Sequence, residues 1–312
     1  MRLVVLAICL LAAGCVSVRP IAEKSSASGN EWFSASGMPT ERTEVVAAAI
    51  GHDIYVIGGL TMDGESGAVE VYDAESDSWS AAPPLPKPLH HAGAASSGGK
   101  LYVVGGFSGG FAPVGSLYIY DPQKKEWARG MDMPSARGAL TVQATGGKIY
   151  AIGGVSDAGV SNALEIYDIE NDSWSAGPGM PTAREHLASA QVGRRIYVLG
   201  GRQESYNLDT AESYDVDLGA WRAEPDMPTP RGGIAAAAVG KGIYVFGGEA
   251  SLWTFRENEE FDTAAGAWSE RAPMPTSRHG LAAVESGGII YVIGGGPRPG
   301  LSVSGKNEAF KP

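Results

Sequence analysis

Residues 148–154 read KIYAIGG, and five near copies recur: DIYVIGG at 53–59, KLYVVGG at 100–106, RIYVLGG at 195–201, GIYVFGG at 242–248 and IIYVIGG at 289–295. The glycine pairs begin at 58, 105, 153, 200, 247 and 294, so the steps are 47, 48, 47, 47 and 47 residues. Trp32, Trp79, Trp127, Trp174, Trp221 and Trp268 keep the same spacing. So do Tyr72, Tyr120, Tyr167, Tyr214 and Phe261, each followed by Asp. A period near 47 with glycine pairs and no helical pattern predicts a β-propeller with one blade per repeat. In the quoted run the apolar residues are continuous, as in a strand buried on both faces. It reads as the second strand of its blade. The first strand is built of small residues (VAAAI at 46–50, IAAAAV at 234–239), which suits the crowded axis. The third ends in Tyr-Asp, and Trp opens the outer fourth. The glycines are expected to take positive φ and to let a neighbouring aromatic approach the backbone.

Paired glycines, Tyr-Asp and Trp in register across residues 30–312 resemble the Kelch repeat. The resemblance implies an all-β, six-bladed Kelch β-propeller occupying 30–312. Its ends predict how the ring shuts. Trp32 precedes any repeat, and only two residues follow Phe310, the sixth Tyr/Phe position. The last blade therefore lacks its outer strand, and the N-terminal strand around Trp32 should supply it.

The chain has 312 residues, a formal net charge of −11 and two cysteines, Cys9 and Cys15. The acidic balance argues against nucleic acid, whose phosphates demand clustered Lys and Arg. One Arg and an apolar run lead to small residues directly before Cys15, in MRLVVLAICLLAAGC. The run is too short to span a bilayer and fits a signal-peptide core. It resembles a bacterial lipoprotein signal. The resemblance implies a signal peptide over 1–14, a lipidated Cys15 and a flexible tether over 15–29. The protein is then held in the bacterial envelope by its lipid alone. Val16 after the cysteine favours the periplasmic side of the outer membrane over the inner membrane. The body is expected to be a monomer.

Two charged columns run through the repeats. Arg42, Arg137, Arg184, Arg231 and Arg278 each lie sixteen residues before a glycine pair, with Leu89 in the second blade. Glu70, Glu165, Glu212, Glu259 and Glu308 each lie two before the Tyr/Phe, with Tyr118 in the second blade. The blade that lacks the Arg also lacks the Glu. The economical account is a structural Arg–Glu pair inside each blade, since unpaired charge at a buried site is costly. An arginine ring for an anionic ligand is the alternative.

Residues out of register are candidates for function. Directly after the Arg column come Thr43, His90, Gly138, Glu185, Gly232 and His279, and then Glu44, His91, Ala139, His186, Gly233 and Gly280. Four of five histidines thus fall on one rim. They read as solvated polar groups at the channel opening, or as an acid–base set using Glu185, His186, His90 or Glu44. His90 and His91, taken as neighbours on a strand, should point to opposite sides, so no metal site is expected. No cofactor is expected either. Galactose oxidase is a Kelch enzyme, but its cysteine-dependent copper chemistry is excluded by a body without cysteine. The loops after the glycines differ in every blade. Trp253, the one tryptophan outside the repeat, shares a loop with Phe255 and Arg256, beside the loop of Arg202 and Tyr206. Aromatics beside Arg suit peptide anchoring or sugar stacking.

Two functions follow. One is a membrane-tethered binding module that recognises a protein or glycan through its loop face. The other is a sugar mutarotase, since the repeat pattern is similar to that of periplasmic N-acetylneuraminate epimerases. There an acid and a base would flank the sugar, and an arginine would hold its carboxylate.

Overall fold

The computed structural model describes residues 30–312. The signal peptide, Cys15 and the tether expected from the sequence lie outside the described residues. Six four-stranded antiparallel sheets follow one another along the chain. The first comprises Val46–Ile50, Asp53–Ile57, Val69–Asp73 and Ser78–Ala82. Its plan repeats over 93–130, 141–176, 188–224, 235–270 and 282–311. The small-residue strands lie innermost and pack on their neighbours around a central channel lined by residues such as Ala47, Ala94, Gln143 and Ser189. The second strands carry the deepest apolar side chains: Ile54, Val56, Ile149 and Val198 are fully buried. The result is a six-bladed, all-β propeller.

The ring shuts as its ends require. Glu31–Ser34 pairs antiparallel with Asn307–Lys311, and Trp32 stands opposite Phe310. The Trp32 indole N–H donates to the Ala272 carbonyl at 2.8 Å, and its ring lies 5.0 Å from that of Phe310. The other five in-register tryptophans do the same. Each donates to a carbonyl in the link before its own blade, at 2.7–2.8 Å. The tryptophan column therefore staples each outer strand to the preceding connection.

The glycine pairs lock blade to blade. Gly58 has φ 63°, and a Cβ there would lie 2.4 Å from the carbonyl oxygen of Leu89 in the next blade. The Gly59 N–H donates to that same oxygen at 2.8 Å. The same bond joins Gly106 to Arg137, Gly154 to Arg184, Gly201 to Arg231, Gly248 to Arg278 and Gly295 to Arg42, all at 2.8–2.9 Å. The expectation of an aromatic neighbour is corrected here. What comes close is a backbone carbonyl that only a residue without a side chain can admit.

That carbonyl belongs to the arginine column, whose side chains turn inward. Arg42, Arg137, Arg184, Arg231 and Arg278 are all 0% exposed. They meet Glu70, Glu165, Glu212, Glu259 and Glu308 at 2.6, 3.0, 2.9, 2.7 and 2.8 Å. Each guanidinium also donates to backbone carbonyls where the second and third strands meet the loop; Arg42 reaches Gly58, Ala68 and Val56. Burial lowers the Arg184 pKa to about 10, which leaves it charged near neutral pH. No guanidinium of this column faces the channel, so an arginine ring for an anionic ligand is ruled out. In the second blade Leu89 and Tyr118 are buried in one apolar cluster instead. A third column escaped the sequence reading: Thr40, Ser135, Thr182, Thr229 and Thr276 each donate a hydroxyl to the second oxygen of the same glutamate at 2.6–3.0 Å. The matching residue in the second blade is Lys87.

Candidate functional site

In the two residues after each arginine, or after Leu89, the chain leaves the link and enters the channel wall. The first of the two bridges to the residue just past its own glycine pair: Thr43 with Leu60, His90 with Phe107, Glu185 with Arg202, Gly232 with Glu249. The second is left-handed in every blade. Glu44, His91, Ala139, His186, Gly233 and Gly280 have φ of 52°, 52°, 52°, 51°, 68° and 59°. Their backbones hydrogen-bond from blade to blade. The N–H groups of His91, Ala139, His186, Gly233 and Gly280 donate to the carbonyls of Glu44, His91, Ala139, His186 and Gly233 at 2.8–3.2 Å. A backbone belt thus runs round the channel mouth.

This geometry overturns the expectation that His90 and His91 diverge. Alternation holds for extended backbone, and the left-handed turn at His91 breaks it. The two Nδ1 atoms are 2.6 Å apart and the ring centroids 4.8 Å. A left-handed conformation costs a residue with a side chain about 1–2 kcal/mol. Glycine, used here in blades five and six, escapes that cost. Glu44, His91 and His186 bear it, and their side chains are the ones that meet. One donor atom from each lies within 4.8 Å of the others. The rings of His91 and His186 are 4.9 Å apart, across the small Ala139. Gly280 makes room for Glu44, whose Oε1 would lie 2.5 Å from a Cβ added at that glycine.

Around this trio runs a second tier. Glu44 Oε1 is 3.6 Å from His279 Nε2, which is also 3.5 Å from Glu249 Oε2. Arg202 joins Glu249 at 3.0 Å and Glu185 at 3.1 Å, and Glu185 hydrogen-bonds His186 Nδ1. Burial pushes the Glu185 carboxyl up, but His186 and Arg202 outweigh it and hold its pKa below the ordinary value. Burial, reinforced by the His186 and His90 imidazoles, drives the His91 pKa well below the ordinary histidine value. Phe107 and Phe111 wall the histidines from the loop side, with Phe111 5.0 Å from His90. The first-column candidates Glu185 and His90 are therefore buried supports, while Glu44 and His186 are only partly covered. Glu249 was not singled out from the sequence, and His279 was placed on the rim but left out of the acid–base set. The glycines at 233 and 280 were the available signal, because they mark the second column as left-handed.

The structure separates the five residues grouped as a ligand site. Arg202 is engaged in the mouth. Arg256 points outward and donates to the Met274 carbonyl at 3.0 Å. Trp253 is 57% exposed and Tyr206 72% exposed. Phe255 lies 6.4 Å from Trp253. Unlike the six in-register tryptophans, Trp253 makes no indole hydrogen bond among the described residues. Met62, Phe111, Leu252 and Leu301 are also exposed on this rim.

Two family models match the sequence. The KLHDC2/KLHL20/DRC7 Kelch-repeats domain matches residues 82–223 and 139–301, and the Kelch motif matches 41–86. No curated protein matches the chain. Kelch propellers commonly mediate protein binding. With matches running from residue 41 to 301 over six blades of one plan, the chain belongs to the Kelch-repeat β-propeller family.

Proposed function

We propose that this protein is a binding module of the bacterial envelope, anchored through a lipidated Cys15, that holds a protein partner on its loop rim. One observation carries the reading. Exposed large apolar side chains gather on that rim: Met62, Phe111, Tyr206, Leu252, Trp253 and Leu301 each exceed 50% exposure. On the opposite rim the tight hairpins expose Leu218 alone of this kind among the described residues. Apolar groups rimmed by polar ones are the usual mark of a recognition surface. A protein is favoured over a glycan because Trp253, Leu252 and Leu301 are large, exposed and apolar.

Photo-crosslinking side chains placed singly at positions 206, 253 and 218 test it in cells. Adducts from 206 and 253, absent from 218, are expected. Adducts from 218 alone, or from none of the three, would overturn the rim assignment. The anchor is tested separately. Cys15→Ser should release the protein from the membrane fraction or leave the signal uncleaved. Lipid attachment that persists in this variant refutes the anchor without touching the rim.

A further inference from the structure

We propose that Glu44, His91 and His186 form a binding site for a divalent transition-metal cation of the zinc type at the channel mouth, with a coordination position left open toward the loops.

The hydrogen-bond partners assign the protons. The Gly110 carbonyl lies 2.7 Å from His90 Nε2, so that nitrogen is the donor. Neutral His90 then accepts at Nδ1, and the 2.6 Å contact makes His91 Nδ1 the donor to it. This leaves the lone pair of His91 Nε2 aimed at Glu44 Oε2, 3.2 Å away. Two acceptors facing each other at that distance call for a positive centre between them, a shared proton or a metal ion, and the third donor from His186 favours the ion. Two donors bound at 2.0–2.1 Å to a tetrahedral ion stand about 3.3 Å apart, close to the spacing of this pair, and the donor atoms of all three residues lie within 4.8 Å of one another. His186 supplies the third ligand. Its Nδ1–H is held by Glu185, which leaves Nε2 for the ion. Glu185 is fixed in turn by Arg202. A carboxylate behind a ligating imidazole is the usual support of such sites. Two imidazoles and one carboxylate suit zinc, and three protein ligands leave a fourth position vacant for water or a donor from a bound molecule. The trio also occupies three positions whose left-handed backbone favours glycine, so packing alone does not explain the residues found there.

The test uses the full-length chain stripped of metal. Competition against a chromophoric chelator should show one Zn2+ per chain, and Co2+ should give the visible absorption of a tetrahedral site. His91→Ala and His186→Ala should each weaken binding at least a hundredfold. Glu185→Gln should weaken it about tenfold, as removal of a supporting group does. His52→Ala, an exposed histidine on the opposite rim, should change nothing. Long-range proton–nitrogen NMR on the unmutated chain removes dependence on variants that fail to fold: Zn2+ should shift the ring nitrogens of His91 and His186. Absence of stoichiometric binding, survival of binding in the His91→Ala/His186→Ala double variant, or histidine signals that do not move on adding Zn2+ would each overturn the site.

Discussion

The second blade is a natural experiment on the Arg–Glu columns, and the third blade can be rebuilt to repeat it. In the third blade Arg137 meets Glu165 at 3.0 Å with the guanidinium fully buried, and Ser135 donates to the other carboxylate oxygen at 3.0 Å. Arg137→Leu leaves Glu165 without its cation. Glu165→Tyr leaves Arg137 charged and enclosed. Removing one partner of a buried pair costs about 3–5 kcal/mol, because the other is left uncompensated. Replacing both with apolar residues is often near neutral. Arg137→Leu/Glu165→Tyr should therefore retain most of the stability that each single change loses, so the loss in the double variant falls short of the sum of the two single losses by at least about 5 kcal/mol. At 2–4 °C per kcal/mol for a domain a little smaller than this one, each single variant should melt roughly 6–20 °C lower. The double variant should stay within a few degrees of the parent. Urea unfolding followed by tryptophan fluorescence gives the four corners of the cycle. Losses that merely add in the double variant would refute the pairing account and put the columns down to side-chain packing.

Other outcomes follow from single contacts. Deleting residues 30–37 removes the strand opposite Phe310 and the Trp32 hydrogen bond, so thermal scans should show a markedly lower melting temperature and a tendency to associate through the opened edge; an unchanged midpoint would refute closure by this strand. Gly58→Ala forces a side chain into a left-handed position 2.4 Å from a carbonyl and should cost about 2–4 kcal/mol in chemical denaturation, whereas a shift under 0.5 kcal/mol would show that the blade junction yields freely. Trp253→Ala should move the melting temperature by no more than about 2 °C, since changes at exposed sites rarely exceed 0.5 kcal/mol. Its crosslinked partner should bind roughly thirtyfold more weakly, and a large loss of stability with the partner still bound would make Trp253 a lid over its own blade.

The framework was readable because each of its parts is written six times. A half-buried tryptophan that staples strand to link must recur in every blade, and so must a glycine that admits a carbonyl. The Arg–Glu pair was readable for the opposite reason. One blade lacks it, and the joint absence at Leu89 and Tyr118 links two positions far apart in sequence. The hydroxyl column at Thr40, Ser135 and their equivalents was missed although Lys87 breaks it in the same blade. Thr and Ser are common in links, and nothing local marks them as donors to a buried carboxylate.

The mouth resisted reading because its chemistry depends on one backbone angle. Taken as extended, residues 90 and 91 face apart and the two histidines cannot act together. With φ near 52° at His91, as the structure has it, they touch, and His91 turns toward Glu44 and His186 from other blades. Side-chain identity does not reveal such an angle in a single copy. The repeats do contain it, since Gly233 and Gly280 occupy the same column, and a column that holds glycine twice is one where positive φ is required. The same alignment explains why the site is built from unlike blades. A ring of identical left-handed glycines would close the belt at least cost and leave an empty channel mouth. Placing Glu and two His at three of the six positions, with Ala139 and Gly280 as the gaps that let them converge, turns a structural seam into a cluster of ligating groups.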